Sequence, residues 1–169
     1  MHYSVLKEEL LEGLNIQDGK IYVDATIGYA GDSKEILKQI PNGFLYGFDQ
    51  DKKAVEYSTG ALTKIGNNFK IFNTNFVNMD ETFEKIGIKE VDGIIFDLGF
   101  SSPQIDDEKR GFSFMHDGPL DMRMSSEGKS AKDIIDTYSE NELAEIFFKY
   151  GEEKLSKLIA MKIKSKIES

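Results

Sequence analysis

The sequence contains no cysteine, which excludes a disulfide framework, a thiolate zinc site and a catalytic thiol. It has only two histidines, His2 and His116, far apart in the chain, so a histidine-based triad or metal site has little support. No apolar run approaches the roughly 18–20 residues that a membrane helix needs. The N-terminus, Met1-His2-Tyr3-Ser4-Val5-Leu6-Lys7, lacks the basic-then-apolar layout of a signal peptide. Basic residues are in the minority, 21 against 30 acidic, for a formal charge of −9. That balance argues against a protein held on nucleic acid mainly by phosphate contacts, though not against one that visits RNA through a local patch. These absences leave a soluble cytoplasmic protein without a membrane partner as the expectation.

With 169 residues there is room for one domain with a core, or for one domain and a small appendage. The charge is unevenly spread. Residues 149–169 hold six lysines and three glutamates, a net +3, which leaves −12 for residues 1–148. The plainest reading of a lysine-rich last helix is a solvated face.

The first two thirds of the chain alternate between two periodicities. Residues 4–14 carry Val5, Leu6, Leu10, Leu11 and Leu14 at helical spacing. Residues 20–27 read as a buried strand ending at Gly28, and residues 33–40 as a short helix stopped by Pro41-Asn42-Gly43. A second strand over 44–48 ends in Asp49-Gln50-Asp51, with Asp51 placed to cap a helix carrying Ala54, Val55, Ala61, Leu62 and Ile65. A third strand covers 69–72 and a short helix 82–86. A fourth, nearly all-apolar strand over 91–98 suits burial on both faces. This β-α-β-α-β-α-β order predicts a parallel sheet in an α/β fold.

From residue 101 to 129 the pattern stops, in a loop rich in Gly, Asp, Ser and Pro, of a length that is often functional. Helices then return. Ser130 with Asp133 and Ser139 with Glu142 fit capping boxes. The expected boundary lies near residue 105: residues 1–104 form a sheet half, and 105–169 a loop and helical segment. Four strands are fewer than a doubly wound nucleotide-binding sheet usually has.

In such a sheet, ligands sit beyond the C-terminal ends of the strands. The first end reads Asp24-Ala25-Thr26-Ile27-Gly28-Tyr29-Ala30-Gly31-Asp32-Ser33, whose glycines allow backbone to approach a ligand. Asp49 follows Gly28 by 21 residues, near the spacing at which an acid meets the hydroxyls of an adenosine ribose. Asp24, Asp32, Asp49 and Asp97 together would repel a dinucleotide's pyrophosphate. They suit S-adenosyl-L-methionine, which carries a sulfonium and an amino group and no phosphate. Phe76, after the third strand, is a candidate to pack on adenine or to fill the core. Asp97 ends the fourth strand, either as a turn-former or facing the methyl group of such a cofactor. Asp106, Asp107, His116, Asp117 and Asp121 match no calcium-loop spacing, so a solvated acidic loop is expected there and no metal site.

The run Asp97-Leu98-Gly99-Phe100-Ser101-Ser102-Pro103-Gln104-Ile105-Asp106-Asp107-Glu108-Lys109-Arg110-Gly111-Phe112-Ser113-Phe114, followed by Asp117-Gly118-Pro119-Leu120-Asp121-Met122-Arg123-Met124, closely resembles the signature of bacterial 16S ribosomal RNA (cytosine-N4)-methyltransferases, the RsmH or MraW family. His2 with Val5-Leu6, Tyr22-Val23-Asp24-Ala25-Thr26, Asp49-Gln50-Asp51 and Tyr150-Gly151-Glu152-Glu153 extend the match over essentially the whole chain. The resemblance implies a Rossmann-like methyltransferase sheet interrupted by a helical substrate-recognition domain. It implies methylation of N4 of a cytidine in the decoding region of 16S rRNA in the small ribosomal subunit, with S-adenosyl-L-methionine as donor. Cofactor contacts carry over to Ala30, Gly31, Asp32, Asp49, Phe76, Asp97 and Gln104, and Asp97 is the catalytic candidate. Arg110 and Arg123 are candidates for RNA or domain contacts, or for pairing with a loop carboxylate.

Two departures stand out. The family's first loop typically reads G-R-G-G-H-S, whereas this one has Tyr29, Ala30 and Asp32 in place of an arginine, a glycine and a histidine. Asp32 would either grip the cofactor's ammonium or repel its carboxylate. The resemblance also implies a continuation that completes the sheet. Without it the fourth strand would expose an apolar edge that invites pairing with a second copy or aggregation. The alternative function is therefore a truncated or diverged homologue without catalysis, at most a cofactor- or RNA-binding module. A nicotinamide-dependent oxidoreductase fits the acidic loop poorly.

Overall fold

Alternation of side chains along short apolar segments builds a four-stranded parallel sheet covered on both faces. The computed structural model describes residues 6–125 and 127–167. The helix start at Ser4, and His2 and Val5 of the family resemblance, lie outside the described residues. Contacts between residues group the chain into two compact units, residues 1–104 with 124–126, and residues 105–123 with 127–169.

The first unit holds strands β1 (Ile21–Asp24), β2 (Phe44–Asp49), β3 (Phe69–Asn73) and β4 (Gly93–Ile95) in the order β3-β2-β1-β4, all parallel. The order reverses between β1 and β4, and this is the point where a doubly wound sheet opens a crevice at its carboxyl end. Tyr22 and Leu45 face one side with Ile36, Leu37 and Ile40 of α2 (Gly31–Gln39), Leu62 of α3 (Lys52–Leu62), and Leu10, Leu11 and Leu14 of α1 (Lys7–Leu14). Val23, Tyr46 and Phe48 face the other side against Met79 and Phe83 of α4 (Met79–Ile86). The period of two thus divides each strand between two apolar layers. Asp51 caps α3 as expected, its side chain accepting from the Lys53 N–H at 3.0 Å. The helix ends at Leu62, so Ile65 lies beyond it.

The fourth strand differs from its reading. Regular pairing spans only Gly93–Ile95, and burial is one-sided. Ile95 lies in the core, while Ile94, Phe96 and Leu98 are 40%, 48% and 71% exposed. The apolar run suited a strand covered on both faces, but β4 is the edge strand of the sheet.

The stretch read as loop also has more structure than its composition suggested. It contains helix α5 (Ser102–Asp106) and a 3-10 turn, Glu108–Arg110. In the second unit, backbone bonds fold the rest back on itself: Met122 N–H donates to Arg110 O, and Ala131 N–H to Asp121 O. Gly111 makes this tight return feasible, because its φ is +68° and a Cβ there would meet Pro119 O at 2.0 Å.

Helices α6 (Ala131–Thr137), α7 (Glu140–Gly151) and α8 (Ser156–Ile167) follow. Both expected capping boxes are present, Ser130 with Asp133 and Ser139 with Glu142. Leu143, Ala144 and Ala160 form a small core with Ile134, Ile135, Tyr138 and Phe147. No helix among the described residues is long and apolar enough to cross a membrane.

Candidate functional site

The carboxyl ends of β1, β2 and β4 bring the sequence candidates into one region of the first unit. After β1, Thr26 N–H donates to Asp24 Oδ1 at 3.2 Å, and the Ser33 hydroxyl donates to Asp24 Oδ2 at 2.6 Å. Asp24 is therefore a buried brace between β1 and the start of α2, not a carboxylate offered to a ligand. Burial pushes its pKa up to about 7, and the charges of Asp32 and Asp49 add to the rise. Ala30 caps α2 with φ +59° in the left-handed region, where a residue without a Cβ is more at ease, and it is fully buried. Gly31 and Asp32 open the helix; Gly31 is exposed and Asp32 is buried.

Asp49, at the end of β2, is tied to both neighbouring loops. Its Oδ2 accepts from Gly28 N–H at 2.9 Å and its Oδ1 from Asp51 N–H at 2.8 Å. Burial raises its pKa, and these two N–H bonds partly offset the rise. A carboxylate can accept about four hydrogen bonds, so Asp49 keeps capacity for a hydroxyl beside its backbone partners. Gln104 Oε1 accepts from Ser101 N–H at 3.1 Å, and Gln104 Nε2 donates to Asp51 Oδ2 at 3.3 Å. Phe76 meets Phe96 edge-on, with ring centroids 5.4 Å apart. Its ring is half-buried, so one part packs in the fold and another stays reachable.

Asp97 follows β4 with its side chain exposed. Its main chain is held by a residue that the motif reading did not single out. Asp97 N–H donates to Thr26 Oγ1 at 2.8 Å, just beyond the point where Ala25 N–H donates to Ile95 O at 2.9 Å. Thr26 thus extends the β1–β4 pairing by one side-chain bond. Ser33 was likewise missed as the partner of Asp24. No local pattern points to it, because the bond joins residues nine apart and forms only when α2 packs on β1.

In the second unit, Arg123 pairs with Asp121 (Nη2 to Oδ2, 2.6 Å; Nε to Oδ1, 2.9 Å), and this pairing holds the Asp121 carboxyl down at about 2. Arg110 donates to Arg123 O at 2.8 Å and lies 5.9 Å from the Phe112 ring centroid. Arg123 thus pairs with a loop carboxylate, as one of its two expected roles has it, while Arg110 holds a loop carbonyl and a ring.

These strand ends offer an acid able to accept further hydrogen bonds, a second, exposed acid and a half-buried aromatic ring, a lining that suits a cationic, hydroxylated group. The parallel strand order, with its reversal between β1 and β4, defines the class, a Rossmann-like α/β domain. The chain belongs to the MraW methylase family, whose profile matches residues 1–169, and membership implies S-adenosyl-L-methionine as the cofactor.

Two curated relatives illustrate the match. "Ribosomal RNA small subunit methyltransferase H" of Spiroplasma kunkelii is 49% identical over 96% of this chain and 52% of its own length. The protein of the same name from Finegoldia magna is 49% identical over 94% and 51%. The chain therefore spans about half the length of the curated relatives it matches. Among solved structures, a Clostridium thermocellum protein provisionally named an rRNA-methylase shares the fold, with a TM-score of 0.51 and 23% identity over 59% of this chain and 54% of that one.

Proposed function

We propose that this chain forms the cofactor-binding part of an S-adenosylmethionine-dependent methyltransferase that acts on N4 of a cytidine in the decoding region of 16S rRNA, within the small ribosomal subunit. The observation that carries this reading is the convergence of Asp49, Asp97 and the Gly28–Asp32 loop at adjacent carboxyl ends of β2, β4 and β1. The names of the relatives supply the substrate class.

In this reading Asp49 accepts the ribose hydroxyls, Phe76 packs on the adenine, and Gln104 contacts the cofactor beside Asp51. Ala30, Gly31 and Asp32 line the cofactor's amino acid end. The buried Asp32 side chain favours the ammonium there over the carboxylate. When bound, the cofactor supplies an electrophilic methyl group. Asp97 accepts a hydrogen bond from the exocyclic amine of the base, which draws the nitrogen lone pair out of conjugation and directs it. Catalysis of this kind rests on positioning and electrostatics, and needs no nucleophilic side chain. A second reading, a cofactor-binding module without transfer, is favoured by one specific feature: Asp97 follows the open edge strand of the sheet.

Isothermal titration with S-adenosyl-L-methionine, together with transfer of its radiolabelled methyl group to small ribosomal subunits, tests both readings. Binding with transfer supports the first, binding alone the second, and absence of binding by the folded chain refutes both. Asp97→Ala is expected to abolish transfer in an active sample, and undiminished transfer would show that Asp97 does not direct the amine.

A further inference from the structure

Asp51 holds more than its helix. Its side chain caps α3, with Oδ1 accepting from Lys53 N–H at 3.0 Å. A hydroxyl suffices for that task elsewhere in the chain, where Ser130 and Ser139 cap α6 and α7. Asp51 is instead a carboxylate, and it is only 5% exposed. Burying a charged group is costly unless its oxygens find donors. The second oxygen has a donor from 53 residues away in sequence: Oδ2 accepts from Gln104 Nε2 at 3.3 Å. Gln104 Oε1 in turn accepts from Ser101 N–H at 3.1 Å. The Gln104 amide is thereby fixed in one of its two orientations, oxygen toward a donor and nitrogen toward an acceptor. A flipped amide would set nitrogen against N–H and oxygen against carboxylate. In addition, Asp51 N–H donates to Asp49 Oδ1 at 2.8 Å. Two of the expected cofactor contacts thus lean on Asp51, Asp49 through its main chain and Gln104 through its side chain.

We propose that Asp51 is a positioning residue for the cofactor site, its Oδ2 holding the Gln104 carboxamide in the orientation that meets S-adenosyl-L-methionine. The proposal rests on the reading of Gln104 as a cofactor contact. Asp51 acts through Gln104 and does not itself touch the cofactor. A glutamine side chain that is free before binding loses rotamer freedom when it meets a ligand. The bond to Asp51 restricts that freedom during folding, and the amide is aimed before the cofactor arrives.

A double-mutant cycle read by isothermal titration with S-adenosyl-L-methionine tests this. Asp51→Ser keeps a capping oxygen and the main-chain bond to Asp49, and removes the oxygen that Gln104 uses. It should weaken binding about tenfold, the low end for losing one hydrogen bond to a charged group. Gln104→Ala should weaken binding by at least as much. The double variant should bind within about threefold of Gln104→Ala, because the effect of Asp51 passes through a side chain already removed. The field of a lost carboxylate would act equally in both backgrounds, so losses that simply add would overturn the proposal. Hydrogen exchange in the absence of cofactor gives a second reading. In Asp51→Ser the Ser101 amide should exchange faster, while the Lys53 amide stays slow because serine caps as well as aspartate. Unchanged exchange at Ser101 would show that Gln104 is held without Asp51. Should the serine variant fail to fold, Asp51→Asn keeps an oxygen for the cap and turns a donor toward Gln104 Nε2, with the same expected loss. Asp51→Ser binding as tightly as the parent, beside a weakened Gln104→Ala, defeats the positioning role and leaves the cofactor site standing. A Gln104→Ala variant that binds as tightly as the parent refutes Gln104 as a contact, and this proposal with it.

Discussion

Asp24 couples the stability of the fold to pH. Asp24 sits in the core at the end of β1, held by Ser33 and by its own loop. The folded chain keeps its proton up to about pH 7, whereas an unfolded aspartate releases it near the usual value of about 3.9. Between those limits the folded state binds more protons than the unfolded state, so this group lowers stability as pH rises, by at most about 1.4 kcal/mol per unit. Above about pH 7 both states are ionised and the loss is complete. Asp24→Asn keeps an oxygen to accept from the Ser33 hydroxyl and removes the charge. Its stability relative to the parent should therefore improve from about pH 5 to about pH 8, as read by urea denaturation at both values. A difference independent of pH would show that Asp24 gives up its proton in the fold as it does in the unfolded chain. The sequence marked Asp24 as one of four strand-end acids but carried no sign that this one turns inward, because that depends on Ser33 arriving from α2.

At the scale of elements, β1, β2, β3 and the capped helices could be read from local pattern because their signals are local: alternation, a capping side chain, a Pro-Asn-Gly stop. The positions of Asp49, Phe76 and Asp97 at or beyond strand ends could be read for the same reason, whereas Gln104 came only with the family resemblance. Burial of β4 could not, because an apolar run looks the same whether one face or two are covered, and the neighbours of a strand are set by the rest of the sheet. The fold of residues 105–123 escaped the reading too, since it is held by backbone bonds and one Arg–Asp pair, not by an apolar period. The link between the ends of β1 and β4 is a further non-local feature. Thr26 Oγ1 takes the place of the next ladder acceptor for Asp97 N–H. Thr26→Val keeps the shape and removes the acceptor. Water can take the exposed amide, so the cost should be about 0.5–1.5 kcal/mol, the net worth of an ordinary hydrogen bond, and hydrogen exchange at the Asp97 amide should speed up. Thr26→Ser should restore slow exchange. Equal exchange in the parent and the valine variant would mean that Thr26 does not hold this strand end.

At the scale of the whole molecule, exposed apolar side chains line up along one edge of the sheet. Ile94, Phe96, Leu98 and Phe100 recur at every second position along β4 and its continuation, and all are exposed, although Phe96 still rests against Phe76. They adjoin an edge whose N–H and C=O groups have no further strand to pair with among the described residues. An open apolar edge favours association, and a net charge of −9 opposes it through repulsion between copies. Salt screens that repulsion and leaves apolar burial intact. Light scattering should accordingly show a mean mass that rises with protein concentration, and rises further in about 0.5 M than in about 0.05 M sodium chloride, where the Debye length falls from about 14 Å to about 4 Å. Ile94→Lys/Leu98→Lys places charge on the edge and should keep the chain monomeric under both conditions. A parent chain that stays monomeric at high salt, or a double variant that associates as strongly as the parent, would show that this edge does not drive self-association.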